Sequence, residues 1–236
     1  DIKEDDEFDA IDGGANGSAG DTLQVGDANT SVGETFLFQR DDLGGVEAAN
    51  IENLRFFKNN IVFQGNPDFF VNLDSIDGVS GVSGITLKSR DTSLDLTTTT
   101  TSAAISTLTG TTSFASGIQI TDADDSIGRT LQGTADDDFL SGVGGDDIFI
   151  IGGGRDIVEG GAGNDTIQIF ASADVSDGLF LDGGSGTDTI TLEDDSLTAV
   201  VFDPDAPESS RETFITNTET LNITGGASAG VTVSLR

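Results

Sequence analysis

A single stretch limits what this chain can fold into: a glycine- and aspartate-rich unit written four times between Gln132 and Ile169. Asp137, Asp146, Asp156 and Asp165 recur at steps of nine, ten and nine, with Gly133, Gly142, Gly152 and Gly161 ahead of them and Phe139, Ile148, Val158 and Ile167 behind. Glycines clustered before an Asp permit positive φ, so the chain turns sharply and points backbone carbonyls inward. Each unit reads as a turn followed by a very short strand. With one buried apolar position apiece, the strands cannot bury enough surface alone and must stack on their neighbours.

Stacking brings the Asp residues of successive turns to the spacing of adjacent strands, about 4.8 Å. Carboxylates at that spacing repel unless protonated or bridged by a cation. A hard divalent ion held by carboxylate and carbonyl oxygens suits the arrangement, and Ca2+ tolerates irregular geometry better than Mg2+. The candidate metal-site residues are therefore Asp137, Asp146, Asp156 and Asp165 with the turn glycines Gly133, Gly142, Gly144, Gly152, Gly154, Gly161 and Gly163. The alternative is a set of metal-free Gly-Asp turns, but such turns need no Asp at one fixed position.

Gly160-Gly161-Ala162-Gly163-Asn164-Asp165-Thr166-Ile167-Gln168 resembles the nonapeptide G-G-x-G-x-D-x-U-x of RTX proteins, the haemolysin-type calcium-binding repeats. The resemblance implies an all-β fold, a right-handed parallel β-roll or β-solenoid in which two nonapeptides make one turn and Ca2+ lies between turns. It pairs the Asp137 turn with the Asp156 turn and the Asp146 turn with the Asp165 turn. Gly183-Gly184-Ser185-Gly186-Thr187-Asp188-Thr189-Ile190 is a fifth copy, which adds Gly184, Gly186 and Asp188, and Asp174 is a degenerate candidate to continue the Asp156 side. Several positions depart from the pattern. Ala135 takes the last glycine position of the first unit, Ile150 reads as an extra residue, and Gln132, Ser141 and Ile151 replace leading glycines.

A chain of 236 residues can bury a sizeable core. Its 32 glycines with 3 prolines and no collagen period argue for turns, and 32 Asp against 10 Glu suit turns and hard-cation ligation. A net charge of -32 argues against nucleic acid, which needs basic patches, and makes the metal-free chain self-repelling. Folding is then expected to wait for cations, outside a low-calcium cytoplasm. Cysteine, histidine and methionine are absent, so thiol and imidazole chemistry are too, and the chain reads as a processed product or part of a longer polypeptide. No run of eighteen apolar residues predicts membrane insertion.

The acidic leader Asp1 to Phe8 is followed by Asp12-Gly13-Gly14 and then Asp21-Thr22-Leu23, a sixth, lengthened turn that adds Asp21 to the metal candidates. Asn50-Ile51-Glu52-Asn53-Leu54 follows Asp21 at the distance by which Asn217-Thr218-Glu219-Thr220-Leu221 follows Asp188, so one module occurs twice, at 8–57 and 179–225. Such modules resemble those of secreted bacterial surface-layer and RTX proteins. The division expected is an N-terminal β module at 1–62, a Thr-rich irregular β-solenoid at 63–128, and the calcium β-roll with a C-terminal module at 129–236. Phe69-Phe70-Val71, Gly84 to Leu87 and Gly117 to Ile120 read as strands. The Thr-rich run Leu94 to Ser113 reads as a strand with a polar face, with O-glycosylation or an ice-binding ladder as alternatives. Phe36, Phe38, Phe56, Phe57, Phe69, Phe70, Phe139, Phe149 and Phe170 are the expected core aromatics.

Acid-base catalysis would fall to carboxylates or lysine, and no Ser or Thr has an evident partner base, so the chain reads as non-enzymatic. A stack of strands has two open ends that are capped or paired with another chain. The expectation is a secreted, calcium-binding protein that self-assembles head-to-tail or edge-to-edge into a bacterial surface layer or filament, with cell-surface polysaccharide as a further partner. The alternatives are a calcium-dependent secretion module of a larger enzyme, or an adhesin segment.

Overall fold

The computed structural model describes residues 11–12, 22–26, 35–37, 48–49, 51–111, 117–123, 126–170, 178–193, 199–202, 214–223 and 232–235. Within these the chain is almost wholly β, every strand pairing is parallel, and the arrangement is consistent with a β-solenoid or β-roll. Parallel strands need a crossover between them, and here the crossover is another strand on a different side of the coil.

The register shows the coil directly. Thr130 pairs with Ile148 and Ile148 with Thr166 in a nine-stranded sheet, while Phe139 pairs with Ile157 in a six-stranded one. One coil thus holds 18 residues, two nonapeptides, and each nonapeptide gives its strand to a different sheet. The next coils are longer: Thr166 pairs with Thr189 and Ile157 with Phe180. The nine-stranded sheet runs from Thr35–Leu37 through Val62–Gly65, Ile85–Ser89, Ile105–Gly110, Thr130–Gln132, Ile148–Ile150, Thr166–Ile169 and Thr189–Leu192 to Thr220–Ile223. It is continuous across 62/63, which falls inside a strand, and across 128/129.

Alternation along these strands places one residue of each in the core and its neighbours outside. Phe63, Leu87, Leu108, Leu131, Phe149, Ile167 and Ile190 form the inner row of the nine-stranded sheet, and Leu94, Ile120, Leu140, Val158 and Leu181 that of the six-stranded sheet, all essentially fully buried in one core. Burying a side chain of this size stabilises by about 1.5–3 kcal/mol. The outer face of the nine-stranded sheet carries two rows. One runs Val62, Thr86, Thr107, Thr130, Ile148, Thr166, Thr189, Thr220; the other runs Gln64, Lys88, Thr109, Gln132, Ile150, Gln168, Thr191, Asn222.

Towards the N-terminus the coil has a third side, a sheet of Thr22–Val25, Asn53–Phe56, Ser75–Gly78 and Thr100–Thr101. The Thr-rich run therefore crosses all three sheets, with Ser93–Asp95 in the six-stranded one and Ile105–Gly110 in the nine-stranded one. The run expected as a strand at Phe69-Phe70-Val71 is instead a helical turn, Pro67–Phe70, packed on Ser93–Asp95. Pro67 at its first turn explains the difference: its fixed φ suits a helix start. Phe63, absent from the expected core, is at its centre, with ring centroids 5.9 Å from Phe56 and 6.1 Å from Phe70, both near edge-on. Phe56, Phe70 and Phe149 are buried as expected, but Phe170 is 43% exposed and Phe139 lies on the outer side of its strand. Phe36 and Phe38 have side chains outside the described residues.

The two modules seen in sequence share a register. Leu23 pairs with Leu54 and Ile190 with Leu221, both across 31 residues.

Candidate cation-binding column

Consecutive acids precede both strands, Asp136-Asp137-Asp138 before Phe139 and Asp146-Asp147 before Ile148, so sequence allows two alignments of the first two copies, on Asp137 and Asp146 or on Asp138 and Asp147. Strand register selects the second. Phe139 lies opposite Ile157, which sets Asp138 beside Asp156, and Ile148 lies opposite Thr166, which sets Asp147 beside Asp165. Leu140 and Phe149, not Phe139 and Ile148, are the buried apolar residues. The true series is Asp138, Asp147, Asp156, Asp165 at an unbroken step of nine, and Ile150 is not an insertion. All four are at most 3% exposed, as is Asp188, whereas Asp137 and Asp146 are exposed.

The glycine register shifts with the acids. Gly133 and Gly142 match Gly160 and Gly183, the first glycine of the unit, while Thr134 and Val143 stand where Gly152, Gly161 and Gly184 stand. Gly145, not Gly144, joins Gly154, Gly163 and Gly186 at the last glycine position, all four with φ between 105° and 147°. Gly144 pairs instead with Ala162, and Ala162 with Ser185. These glycines are required because coils touch backbone to backbone. A Cβ on Gly163 would fall 1.8 Å from the Gly145 carbonyl oxygen, and one on Gly186 would fall 1.6 Å from that of Gly163. Val143 takes the left-handed region at φ 64° without being glycine, a strained position in the second copy.

The buried acids form two columns. The shorter holds Asp138 and Asp156, with Ile118 and Leu179 at the matching positions on either side. Asp138 is saturated: Ile118 N–H and Thr134 N–H each donate at 2.6 Å, and Thr134 Oγ1 at 2.9 Å. Asp156 Oδ1 accepts from Asp138 N–H at 2.9 Å.

The longer column runs Asp147, Asp165, Asp188. Asp147 Oδ1 accepts from Arg129 N–H at 2.7 Å, Asp165 Oδ1 from Asp147 N–H at 2.8 Å, and Asp188 Oδ1 from Asp165 N–H at 2.8 Å. One oxygen of each carboxylate thus holds the coil before it. The other oxygen is different: Oδ2 of Asp147, Asp165 and Asp188 is buried and accepts no hydrogen bond. A buried, unsatisfied charged oxygen is costly, and something must answer for it. Each carboxylate leans over the first glycine of its own turn. The point where a Gly142 Cβ would sit is 2.3 Å from Asp147 Oδ2 and 2.6 Å from the Gly160 carbonyl oxygen. The matching point at Gly160 is 2.5 Å from Asp165 Oδ2 and 2.2 Å from the Gly183 carbonyl oxygen. The missing side chains leave carboxylate and carbonyl oxygens converging between coils.

Burial sets the proton affinity of the column. It pushes Asp147 up to about 8 and Asp165 up to about 6 from the ordinary 3.8, with further upward contributions from Asp122 and Asp165 on the former and Asp188 and Asp146 on the latter. Burial also raises Asp138 and Asp188.

Two residues at the ends of this column are not apparent from the repeat. Glu219 Oε2 accepts from Asp188 N–H at 2.8 Å, so the N-x-E-x-L element of the C-terminal module supplies the next carboxylate. At the other end Arg129, in register with Asp147, is 2% exposed, and its Nη1 lies 2.9 Å from both oxygens of the fully buried Asp122. The repeat begins where the third sheet stops, and Arg129 Nη2 reaches Thr101 in the last strand of that sheet.

A second, exposed ladder lies one residue earlier. Asp137 Oδ1 accepts from Arg155 N–H, and Asp146 Oδ1 accepts from Asn164 N–H, both at 2.7 Å. Asp21 and Asp174 are outside the described residues. Among the described residues no three or more His, Cys, Asp or Glu side chains gather as a metal cluster, and no helix is long and apolar enough to cross a membrane. Comparison with protein-family models, curated proteins and solved structures finds no match for this chain.

Proposed function

We propose that the chain is a secreted structural protein whose acidic coils are held by calcium and which self-assembles at a bacterial cell surface, as a layer or filament. The observation that carries this reading is the column of buried carboxylates, each with one oxygen committed to the neighbouring coil and the other without a donor. Asp147, Asp165 and Asp188 with the carbonyls of Gly160 and Gly183 are an oxygen-only donor set, the kind a hard cation of flexible coordination takes. The donors of a site come from one carboxylate per coil plus backbone, so no side-chain cluster of three is needed. Bound calcium would supply the positive charge that lets these carboxylates stay ionised in the core. The protein's own part is to fix Oδ1 on the adjacent N–H and leave Oδ2 facing the glycine gap.

Assembly is supported at the end of the nine-stranded sheet. Leu221 stands in the core row beside Ile190, which is 1% exposed, yet Leu221 itself is 39% exposed. An inner row uncovered at its last strand suits stacking of another coil, and a head-to-tail contact of this kind stays open and propagates. The test is electron microscopy with circular dichroism in millimolar calcium and again in chelator. Ordered polymers that disperse on chelation, with β structure that then unfolds at lower temperature by circular dichroism, are expected. A folded, calcium-dependent monomer would retain the ion site and overturn the assembly reading in favour of a stabilising module of a larger protein.

A further inference from the structure

The chain carries 42 acidic residues against 10 basic ones, so two copies repel wherever their surfaces are typical. One long face is not typical. The two outer rows of the nine-stranded sheet, from Val62 and Gln64 to Thr220 and Asn222, contain no carboxylate, and their one charge is the cation Lys88. The six-stranded sheet differs, with Asp95, Glu159 and Asp182 in one outer row. Among the described residues nothing covers these carboxylate-free rows: Ile148 at their middle is 38% exposed and its threonine neighbours are half-buried.

We infer that the outer face of the nine-stranded sheet is a lateral docking surface for the same face of a second copy. Charge selects the partner. This is the face on which an identical chain of net charge -32 can approach without meeting carboxylates, and β-branched threonines on a pleated surface present methyls and hydroxyls that interdigitate with their like. A pairing of like faces is isologous and closes as a pair, unlike the propagating contact at Leu221. Size sets its strength. Nine strands at roughly 4.8 Å spacing give a face of roughly 40 Å by 10 Å, about half of what a stable pair buries on each partner. Pairing is therefore modest between single chains and strengthens as coils add end to end. In that respect it rests on the assembly proposed above, while the contact itself does not.

The test is sedimentation equilibrium of the full chain in calcium, comparing wild type with Thr130→Asp/Thr166→Asp/Thr189→Asp and with the matching triple Asn variant. The Asn variant carries nearly the same shape and strand propensity, so the contrast isolates charge, and circular dichroism checks that both fold. Wild type and the Asn variant are expected to associate at the same concentration, and the Asp variant only at about a hundredfold higher. Wild type that stays monomeric to about 1 mM, the weak limit of specific binding, would overturn the proposal, and so would equal association of the Asp and Asn variants. Particle length by electron microscopy reports end contacts separately. Loss of length with pairing kept removes only the earlier assembly reading, and length kept without pairing removes only this one.

Discussion

Replacing Asp165 by Asn separates the two states of the column. Asp165 is 1% exposed; its Oδ1 accepts from Asp147 N–H at 2.8 Å and its Oδ2 accepts nothing. Without a cation the charge is a liability: a rise from 3.8 to about 6 corresponds to roughly 3 kcal/mol against the ionised, folded form. An Asn keeps the acceptor and removes the charge, at the cost of a buried amide that loses about 1–3 kcal/mol if unpaired. In chelator at neutral pH the variant should therefore equal or exceed wild type, by up to about 2 kcal/mol. With calcium at a hundredfold excess over its dissociation constant, wild type gains about 2.7 kcal/mol per site and the variant loses that gain where Asp165 is a donor. The order of stability inverts. Urea unfolding followed by circular dichroism reads the inversion as a midpoint shift on the order of 1 M. A variant less stable than wild type in chelator, or equal stabilisation of both by calcium, would refute the reasoning.

Other perturbations follow from the same geometry. Because the folded carboxylates at Asp165 and Asp147 are raised to about 6 and about 8, the stability they contribute to calcium-free protein is full below pH 3.8 and lost as pH rises through those values; melting temperature measured in chelator should fall between pH 4 and 8. Gly163→Ala, with its Cβ 1.8 Å from a carbonyl oxygen, should cost more than about 4 kcal/mol, while Gly81→Ala, also at positive φ but with open space around it, should cost about 1–2 kcal/mol in the same urea assay. Arg129→Met strands Asp122 in the core and should cost about 3–5 kcal/mol, much of it recovered by the double variant with Asp122→Leu.

The sequence made the repeat and the stacking of its short strands legible because three residue types keep one period, but it did not show that one acid of each turn is buried. It left the register of the first two copies ambiguous. Asp136-Asp137-Asp138 offers three acids and Asp146-Asp147 two, and Phe139-Leu140 and Ile148-Phe149 offer two apolar residues each, so only the side of the strand that faces the core decides. The constant step of nine was the available signal, and an alignment that needs an inserted Ile150 conflicts with it. Glu219 was visible as part of a recurring module but not as the next carboxylate, because its coil is 31 residues long and breaks the period. Arg129 gave no signal at all: a lone basic residue shows its burial and its Asp122 partner only when the third sheet's end is placed beside it. Phe69-Phe70-Val71 reads as strand because Phe and Val favour strands, but Phe69 and Phe70 belong to the helical turn Pro67–Phe70, where the proline's hold on φ prevails.

The most direct test of the account is the position of bound ions, from anomalous scattering of crystals grown in calcium. Peaks between Asp147 and Gly160 and between Asp165 and Gly183, in the buried column, are the predicted result. Peaks confined to the exposed ladder of Asp137 and Asp146, or no peak at saturating calcium, would contradict it.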